Sequence, residues 1–340
     1  MPPELPSDLP RFRLFDGPSP LHRLPRFSAD LGGRVDVWIK REDLLPLAFG
    51  GNKLRNLEFL VGAALAEGAD TLVTSGRRWS NHCRLTAAAG AVAGLAVELV
   101  VSGPPTEPPG PGIRLMHAFG ATVHQLATAD RSEREARVAA VMDGLQQSGR
   151  RPYLIDVGGS GLPGLLGQVA AGDEVARQLA APGQSRPPSA FAALYLPSAT
   201  GGTQAGLIAR DWLRFDVVDG PIMGIVVGRP AAELRAAIIR SLEMLEPFFD
   251  REGAADEQRV PSSQVHLDQS WLGEGYGRPT TAATEAADRL ARSEGILVDP
   301  IYTAKALAGL IGAVRTGQHD GESILFWHAG GLPGIFEPLD

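Results

Sequence analysis

Cysteine is nearly absent from this chain: Cys83 is the only one among 340 residues. A single thiol excludes an internal disulfide framework and any zinc or iron–sulfur site that needs several thiolates. No run of about 18 uninterrupted apolar residues occurs, and the first residues lack the basic and apolar regions of a signal peptide. We therefore expect a cytoplasmic protein that holds no metal and does not span a membrane.

Positive charge is not in excess either, because 32 Lys and Arg residues stand against 39 Asp and Glu residues, for a net charge of −7. This balance gives no electrostatic footprint for nucleic acid or an anionic membrane. Hydrophobic residues make up 44% of the chain and charged residues 21%, which excludes a disordered protein. The length of 340 residues predicts about two domains. The expected partners are small-molecule substrates or other protein chains.

Short strand-like runs alternate with longer helical patterns from residue 35 onward, which is typical of α/β proteins with parallel strands. In the first half, the pattern predicts strands at 35–40, 71–75, 96–102, 122–126 and 152–157, and helices at 54–67, 80–95, 112–119 and 132–148. In the second half, it predicts a helix at 165–181 and strands at 192–197, 222–227 and 323–327. The elements within 54–165 form one block and the later elements a second.

The segment Gly50-Gly51-Asn52-Lys53 places a lysine in the first turn of a predicted helix. The two glycines allow a tight turn, and the positive end of the helix dipole disfavours an ammonium group there. A lysine with a lowered pKa can form a Schiff base with an aldehyde. The alternative is a solvated lysine at an ordinary helix start.

The run Thr200-Gly201-Gly202-Thr203 lies between a predicted strand and an apolar helix. Exposed amides at a helix N-terminus, together with hydroxyl groups, form a cradle for phosphate. The run matches neither the Walker A motif nor the glycine pattern of dinucleotide-binding proteins, and the alternative is a simple turn. A phosphate site combined with a Schiff-base lysine indicates pyridoxal 5′-phosphate.

A third candidate, Ser80-Asn81-His82, follows the strand predicted at 71–75. Ligands of open α/β sheets bind beyond the carboxyl ends of the strands, which is where this turn falls. Ser80 is a candidate for proton transfer, and Asn81 is a candidate partner for the ring oxygen of the cofactor. The alternative for His82 is packing or helix capping, and Cys83 is expected to be a small core residue.

Six motifs occur in order along the chain: Lys40-Arg41-Glu42-Asp43-Leu44, Gly50-Gly51-Asn52-Lys53-Leu54-Arg55, Ser80-Asn81-His82, Gly201-Gly202-Thr203-Gln204-Ala205-Gly206, Asp299-Pro300-Ile301-Tyr302-Thr303 and Gly330-Gly331-Leu332-Pro333-Gly334. Together they resemble the D-cysteine desulfhydrase and 1-aminocyclopropane-1-carboxylate deaminase family. The resemblance implies the fold type II of pyridoxal phosphate enzymes, similar to tryptophan synthase β, with two three-layer α/β domains and mostly parallel sheets. It assigns residues 1–53 and 166–340 to a large cofactor-binding domain and residues 54–165 to a small mobile α/β domain. A homodimer is also implied.

The resemblance further implies roles for individual residues. Lys53 would attach the cofactor and act as the base at the α-carbon, and Ser80 matches a residue near the substrate carboxylate. The implied catalytic residues are Lys53, Ser80, Tyr276 and Tyr302. The implied cofactor-binding residues are Lys53, Asn52, Asn81, Thr200, Gly201, Gly202, Thr203, Thr303 and Ala329. The implied substrate-binding residues are Ser80, Asn81, His82, Arg77, Arg78 and Trp79.

Arg77-Arg78-Trp79 departs from the family pattern, which has small neutral residues before the serine. Because a guanidinium group binds carboxylate, sulfonate or phosphate through two parallel hydrogen bonds, Arg77 or Arg78 is a candidate for binding a second acidic group of the substrate. The alternatives are solvated loop arginines, arginines at a subunit interface, or a pocket narrowed by Trp79.

Thr303 and Ala329 stand where family members place partners of the pyridine nitrogen. Without a carboxylate partner the cofactor is a weaker electron sink, and β-elimination then needs less stabilisation than ring opening. We therefore expect a β-eliminating lyase or deaminase that acts on a small amino acid of the cysteine type and releases a keto acid and ammonia. The alternatives are a deaminase of cyclopropane amino acids, a biosynthetic enzyme of β- or γ-replacement, a lyase of an acidic analogue such as cysteate, and a non-catalytic protein that binds pyridoxal phosphate.

Overall fold

The computed structural model describes residues 9–181, 188–214, 216–248 and 260–338. Strands and helices alternate along them, so the predicted α/β class is confirmed. The strands are β1 (Leu21–Arg23), β2 (Asp36–Arg41), β3 (Thr71–Arg77), β4 (Ala96–Ser102), β5 (Thr122–Leu126), β6 (Pro152–Leu154), β7 (Ala193–Ser198), β8 (Ile222–Val226), β9 (His266–Asp268) and β10 (Ser323–His328). The helices are α1 (Pro25–Asp30), α2 (Lys53–Ala66), α3 (Asn81–Ala93), α4 (Pro111–Ala118), α5 (Arg131–Gln147), α6 (Gly164–Ala180), α7 (Gly202–Arg214), α8 (Ala231–Leu245), α9 (Thr281–Glu294) and α10 (Thr303–Arg315). None of these described helices is long and apolar enough to cross a lipid bilayer.

The larger sheet has six strands in the order β1-β2-β10-β7-β8-β9. All neighbours pair in parallel except β1, which is antiparallel to β2. The side chains of β10 alternate between two buried clusters, with Leu325 and Trp327 in one and Ile324 and Phe326 in the other. A parallel sheet that is apolar on both faces is covered by helices on both faces, which gives this half of the chain three layers.

The smaller sheet has four parallel strands in the order β5-β4-β3-β6. Its buried cluster joins Leu72 of β3 to Leu85 of the alanine-rich helix α3. The helix can pack closely because a Cβ atom at Gly90 would lie 2.2 Å from Cγ2 of Val97. Cys83 is fully buried in the same cluster, and its predicted role as a small core residue is confirmed.

Two of the predicted strands end at different residues in the structure. β3 continues beyond the predicted end at Ser75 and reaches Arg77, because its ladder with β4 continues that far. β6 ends at Leu154, because Val157–Gly159 forms a 3-10 turn in place of the predicted strand end. The other predicted elements begin and end within two residues of the observed ones. The pattern did not resolve β1, β9, α1, α8, α9 or α10.

The two sheets draw on different parts of the sequence. All strands of the smaller sheet lie between residues 54 and 165, and all strands of the larger sheet lie outside that range. The domain boundaries, and the mobility of the small domain, stay predictions because the structure holds a single arrangement of the two sheets.

Candidate active site

A cavity of about 370 Å³ is lined by residues from both sheet regions. It lies at the carboxyl ends of β3, β7 and β8, since the loops after these strands supply Ser80, Thr200 and Gly228 to its wall. This is where open α/β sheets bind ligands. Most of the residues implied as site residues line it: Asn52, Lys53, Arg77, Ser80, Asn81, His82, Thr200, Gly201, Thr203, Tyr276, Tyr302 and Ala329.

Lys53 opens helix α2 and contributes to the cavity lining. The chain has three lysines, and the two others donate hydrogen bonds, Lys40 to the carbonyl of Ser19 and Lys305 to the carbonyl of Leu272. Lys53 has no hydrogen-bond or salt-bridge partner among the described residues. Burial lowers its pKa to about 8. The predicted direction of the shift is therefore confirmed, with loss of solvation as its cause.

The turn before Lys53 is held by backbone contacts that only glycine permits. The amide of Gly51 donates to the carbonyl of Glu42 at 2.9 Å, and the amide of Asn52 donates to the carbonyl of Ala329 at 3.0 Å. A Cβ atom at Gly330 would lie 2.5 Å from the Cα atom of Gly51. The glycine pairs at 50–51 and 330–331 thus let two loops touch backbone to backbone beneath the cavity.

Helix α2 is fixed against helix α6 at the same point. Gln168 Nε2 donates to the carbonyl of Asn52 at 2.9 Å, and Asn52 Nδ2 donates to Thr203 Oγ1 at 2.8 Å. A Cβ atom at Gly167 would lie 2.0 Å from the carbonyl oxygen of Arg55. Asn52 therefore joins the lysine turn to the glycine-rich loop after β7, and the two predicted halves of a cofactor site are physically connected.

The glycine-rich loop presents hydroxyl groups to the cavity at the start of α7. Ser160 Oγ donates to Thr200 Oγ1 at 2.7 Å, and Gly201 has a φ of 91°. Ser198 Oγ is buried, lines the cavity and has no hydrogen-bond partner among the described residues. Gly202 lies behind the loop, where a Cβ atom would meet Leu165 and Ser160 at 3.1 Å. A buried hydroxyl without an acceptor at a helix N-terminus suits an anionic ligand.

The turn after β3 places three consecutive polar residues on the cavity wall. Ser80 caps helix α3, with its Oγ accepting from the amide of Cys83 at 3.2 Å. The His82 ring bonds Thr74 Oγ1 through Nε2 at 3.0 Å. Because Thr74 donates its own proton to the carbonyl of Ile155, Nε2 is the protonated nitrogen. Burial, followed by the charge of Lys53, lowers the pKa of His82 to about 3, so the ring is neutral.

Tyr276 and Tyr302 meet in the cavity wall. Their hydroxyl groups share a hydrogen bond, and their ring centroids lie 5.9 Å apart. Burial raises the pKa of both phenols. Both hydroxyls are therefore protonated at neutral pH, and one of them remains a donor toward the cavity.

Arg77, Arg78 and Trp79, which depart from the family pattern before Ser80, have different surroundings in the structure. Arg78 is buried away from the cavity, where it donates to the carbonyl of Pro338 at 2.7 Å and faces Glu337. Trp79 packs between Arg78 and Tyr276 and does not line the cavity. Arg77 alone lies in the wall. Arg78 and Trp79 therefore stand behind the cavity wall, and of the three residues only Arg77 is among the lining that could contact a substrate.

Thr303 also lies behind the wall. Its side chain is fully buried, donates to Asp299 Oδ2 and is not part of the cavity lining. Asp299 in turn accepts hydrogen bonds from the amides of Ile301 and Tyr302. Thr303 thus fixes the loop that carries Tyr302, while Ala329 remains in the cavity lining.

Three arginines of the lining were not found from the sequence: Arg131, Arg134 and Arg229. The first two belong to helix α5, which buries no residue and has no motif. Arg229 is the third residue after β8. Because ligands of open α/β sheets bind beyond the strand ends, this position was sufficient to predict Arg229 as a site residue. Arg229 has no hydrogen-bond or salt-bridge partner among the described residues.

The cavity fits pyridoxal phosphate. The cofactor needs an amine for its aldehyde, a cradle for its phosphate and a partner for its ring oxygen. Lys53 and the buried hydroxyl of Ser198 have no partner among the described residues, and Asn81 lines the wall and accepts a hydrogen bond from Arg84 at 3.2 Å. No Asp or Glu side chain is among the described residues of the lining, and this favours a dianionic phosphate ester.

Comparison with known proteins gives a consistent result. The model of the family described as pyridoxal-phosphate dependent enzyme matches residues 12–330. D-cysteine desulfhydrases of Salmonella choleraesuis (strain SC-B67) and Salmonella newport (strain SL254) are each 36% identical over 332 residues, which is 96% of this chain and 95% of the relative. The solved structure of an ACC deaminase homologue is similar, with a TM-score of 0.85 and 32% identity over 97% of this chain and 94% of that one. An O-ureido-L-serine synthase shares the fold alone, with a TM-score of 0.65 and 16% identity over 94% of this chain and 92% of that one.

Proposed function

Because this chain belongs to the family of pyridoxal-phosphate-dependent enzymes, we propose that it is a β-eliminating lyase for a small amino acid of the cysteine type. The observation that carries the proposal is a lysine of lowered pKa beside a hydroxyl-lined loop, in a cavity where the described residues supply neither a partner for the lysine nor an acidic side chain. The match to D-cysteine desulfhydrases over 96% of the chain supports the substrate class. The similarity to an ACC deaminase homologue favours ring opening of a cyclopropane amino acid as the second candidate.

The residues that would hold the cofactor divide into three groups. Lys53 would bind it covalently, Asn81 would bond the ring oxygen, and Ser198, Thr200 and Thr203 would bind the phosphate through their hydroxyl groups. When bound, the cofactor withdraws electrons from the α-carbon of an amino acid, and it does so weakly here because the described lining offers no carboxylate to protonate the ring nitrogen.

The side chains of the cavity supply the proton transfers. Lys53 Nζ, neutral in an appreciable fraction near pH 8, would accept the α-proton. The hydroxyl of Ser80 and the amide of Asn81 are donors for the substrate carboxylate. The hydroxyls of Tyr276 and Tyr302 are both protonated, and the one that does not donate to the other would be the donor for the leaving group. Breaking the bond between Cβ and sulfur gives the electron pair to sulfur, and water then yields pyruvate, ammonia and hydrogen sulfide from cysteine.

We expect a marked pH dependence when cofactor-free protein takes up pyridoxal phosphate. Only a neutral amine attacks an aldehyde, and a pKa lowered from 10.5 to about 8 makes about one Lys53 in ten neutral at pH 7. The uptake rate should rise about 50-fold from pH 6 to pH 8 and less than about twofold above pH 8, as measured by visible absorbance. A rate that keeps rising tenfold per pH step up to pH 10 would contradict the lowered pKa.

The proposed function is tested by absorbance, labelling and a substrate screen. The holoenzyme should be yellow, and borohydride should fix the cofactor on Lys53 and not on Lys40 or Lys305. Keto acid release should then be measured for D- and L-cysteine and for 1-aminocyclopropane-1-carboxylate. Pyruvate from one cysteine enantiomer supports elimination. Keto acid from the cyclopropane alone favours the second candidate, and a protein that stays colourless contradicts both.

We also infer that the enzyme acts in the cytoplasm as a homodimer. The single cysteine is buried and needs no oxidising compartment. Five large apolar side chains of the described residues are more than half exposed: Leu44, Phe49, Val92, Leu297 and Phe336. Their burial would favour association. Light scattering after gel filtration should give twice the chain mass of 35.9 kDa, and a monomer contradicts the dimer.

A further inference from the structure

Four arginine side chains line the cavity, at positions 77, 131, 134 and 229, without an acidic side chain among the described residues of the lining. With Lys53 the cavity gathers five cationic side chains. The elimination proposed above uses Lys53 alone among them. Arg131 pairs with Glu135, whereas Arg77, Arg134 and Arg229 form no salt bridge with a described residue. Because unpaired positive charge attracts an anion, these three arginines are the largest part of the cavity whose chemistry is unexplained.

Among the four arginines of the lining, Arg77 and Arg134 are the two that have a buried atom without a partner among the described residues. Arg77 donates to the carbonyl of Ala129 at 3.3 Å, and Arg134 donates to Ser102 Oγ at 3.0 Å. The Nε atom of each is buried and bonds to none of the described residues. Neither guanidinium group forms a salt bridge with a described residue. Each therefore keeps several N–H donors for an acceptor that the chain does not supply.

The two guanidinium groups also act on each other. Burial, followed by the charge of Arg77, lowers the pKa of Arg134. Helix α5 carries three acidic residues, Glu133, Glu135 and Asp143. The charge of Glu135 opposes the lowering of the Arg134 pKa, but the Glu135 carboxylate pairs with Arg131 at 2.6 Å, and the Arg131 side chain is 72% exposed. Both side chains are partly buried, and like charges held together there are unfavourable unless an anion compensates them. The pair therefore suits an anionic ligand.

Arg77 lies close to two residues to which the proposed function gives a role toward the substrate. The carbonyl of Arg77 accepts the amide of Ser80 at 2.8 Å, so the arginine begins the same turn as the proposed carboxylate-binding serine. The Arg77 guanidinium lies 5.9 Å from the ring centroid of Tyr276, one of the two proposed leaving-group donors. The cofactor phosphate has a separate cradle at the loop of Ser198 and Thr200.

We propose that Arg77 and Arg134 together form a binding site for a tetrahedral oxyanion on the β-carbon of the substrate, so that the preferred amino acids carry a β-sulfonate or β-phosphate group. This inference rests on the proposed function for its reaction and on the two arginines for its specificity. Bidentate hydrogen bonds from guanidinium groups distinguish such anions from a neutral thiol.

The eliminations balance without an oxidant. In cysteate the bond between Cβ and sulfur breaks, sulfur keeps the electron pair, and the α-proton leaves to Lys53. With one water molecule the products are pyruvate, ammonia and sulfite. In O-phosphoserine the bond between Cβ and oxygen breaks, and the products with one water molecule are pyruvate, ammonia and inorganic phosphate.

The test compares Arg77→Gln and Arg134→Gln with Arg137→Gln in the holoenzyme. Arg137 is a matched control because it lies on the same helix, bonds to no described residue other than His124 and does not line the cavity. Wild type should convert cysteate or O-phosphoserine at least as efficiently as cysteine. Either cavity variant should lower kcat/KM for the anionic substrates about 10- to 150-fold, with a smaller effect on cysteine, and the control should match wild type.

A binding measurement separates the anion site from turnover. Inorganic sulfate titrated into the holoenzyme should bind to wild type and to Arg137→Gln and should lose its affinity in both cavity variants. The cofactor affinity of all variants, measured by absorbance titration, should equal that of wild type. If the cavity variants lose pyridoxal phosphate in place of sulfate, the arginines serve the cofactor and the proposal is overturned. Equal losses for cysteine and cysteate overturn it as well.

Failure of the proposed function gives a different pattern. If no amino acid releases a keto acid, the elimination is contradicted, while sulfate binding that depends on both arginines still supports the anion site. If cysteine is converted but cysteate and O-phosphoserine are not, the elimination stands and the anion site falls. Arg134→Lys distinguishes loss of the charge from a structural defect. Lysine keeps the positive charge, so this variant should retain part of the sulfate affinity.

Discussion

Replacement of Lys53 by alanine should give a folded protein that binds no cofactor covalently and loses at least about 10³-fold in kcat. Lys53 is the only lysine whose amine has no protein partner among the described residues, and it lines the cavity. The other two lysines hold carbonyl groups of the fold and cannot replace it. Mass spectrometry after borohydride treatment should detect no cofactor adduct, and keto acid release should fall to the background rate.

Lys53→Arg is the matched variant for this prediction. Arginine keeps a positive charge at the start of α2 but neither forms the covalent bond nor gives up a proton at neutral pH. It should be as inactive as the alanine variant. Activity retained by Lys53→Arg, or an adduct found on Lys305 in either variant, would show that the charge of Lys53 matters and its nucleophilic amine does not.

The glycine motifs around the site were predictable because they encode backbone geometry. Gly51 and Gly330 stand where two loops approach within contact distance, and such positions tolerate no side chain. Lys53 and Asn52 follow from the same short segment, since the turn and the helix start fix their positions. The local sequence was therefore sufficient to predict the residues that we propose bind the cofactor.

The substrate side of the site was harder to predict because it depends on which way adjacent side chains point. Successive side chains of a strand point to opposite faces, so Arg77 and Arg78 at the end of β3 separate into a cavity residue and a residue paired with the C-terminal segment. Arg134 comes from an exposed helix without a motif. Its position in the cavity depends on tertiary packing, which a single sequence does not encode locally.

A buried ionic network lies beneath the lysine turn. Arg55 donates to Glu42 Oε1 at 2.8 Å and to Glu174 Oε2 at 3.0 Å, and Lys40 donates to the carbonyl of Ser19 at 2.8 Å and also reaches Glu174. Two cations and two carboxylates balance, and all four residues are buried. The network joins β2, α2 and α6, so it holds the helix that begins with Lys53. This explains why Lys40, Glu42 and Arg55 belong to the motifs that surround Lys53 in sequence.

Removing the central cation of this network should strongly destabilise the fold. Arg55→Ala leaves Glu42 and Glu174 facing each other with Lys40 as the only counter-charge, and breaking a buried ion pair on one side costs about 3–5 kcal/mol. That loss is a large share of a typical free energy of unfolding of about 5–15 kcal/mol. Urea denaturation should show the midpoint shifted to lower concentration, and cofactor affinity should fall because α2 loses its anchor.

An exposed ion pair on the same molecule provides the control for Arg55→Ala. Arg292 pairs with Asp288 one turn away on α9, with a side chain that is 82% exposed, and such pairs contribute little to stability. Arg292→Ala should leave both the denaturation midpoint and cofactor affinity unchanged. A similar small effect of Arg55→Ala would mean that water or a local rearrangement compensates Glu42 and Glu174. In that case hydrophobic packing and the close approach at Gly167, not the ionic network, hold α2 and its lysine in place.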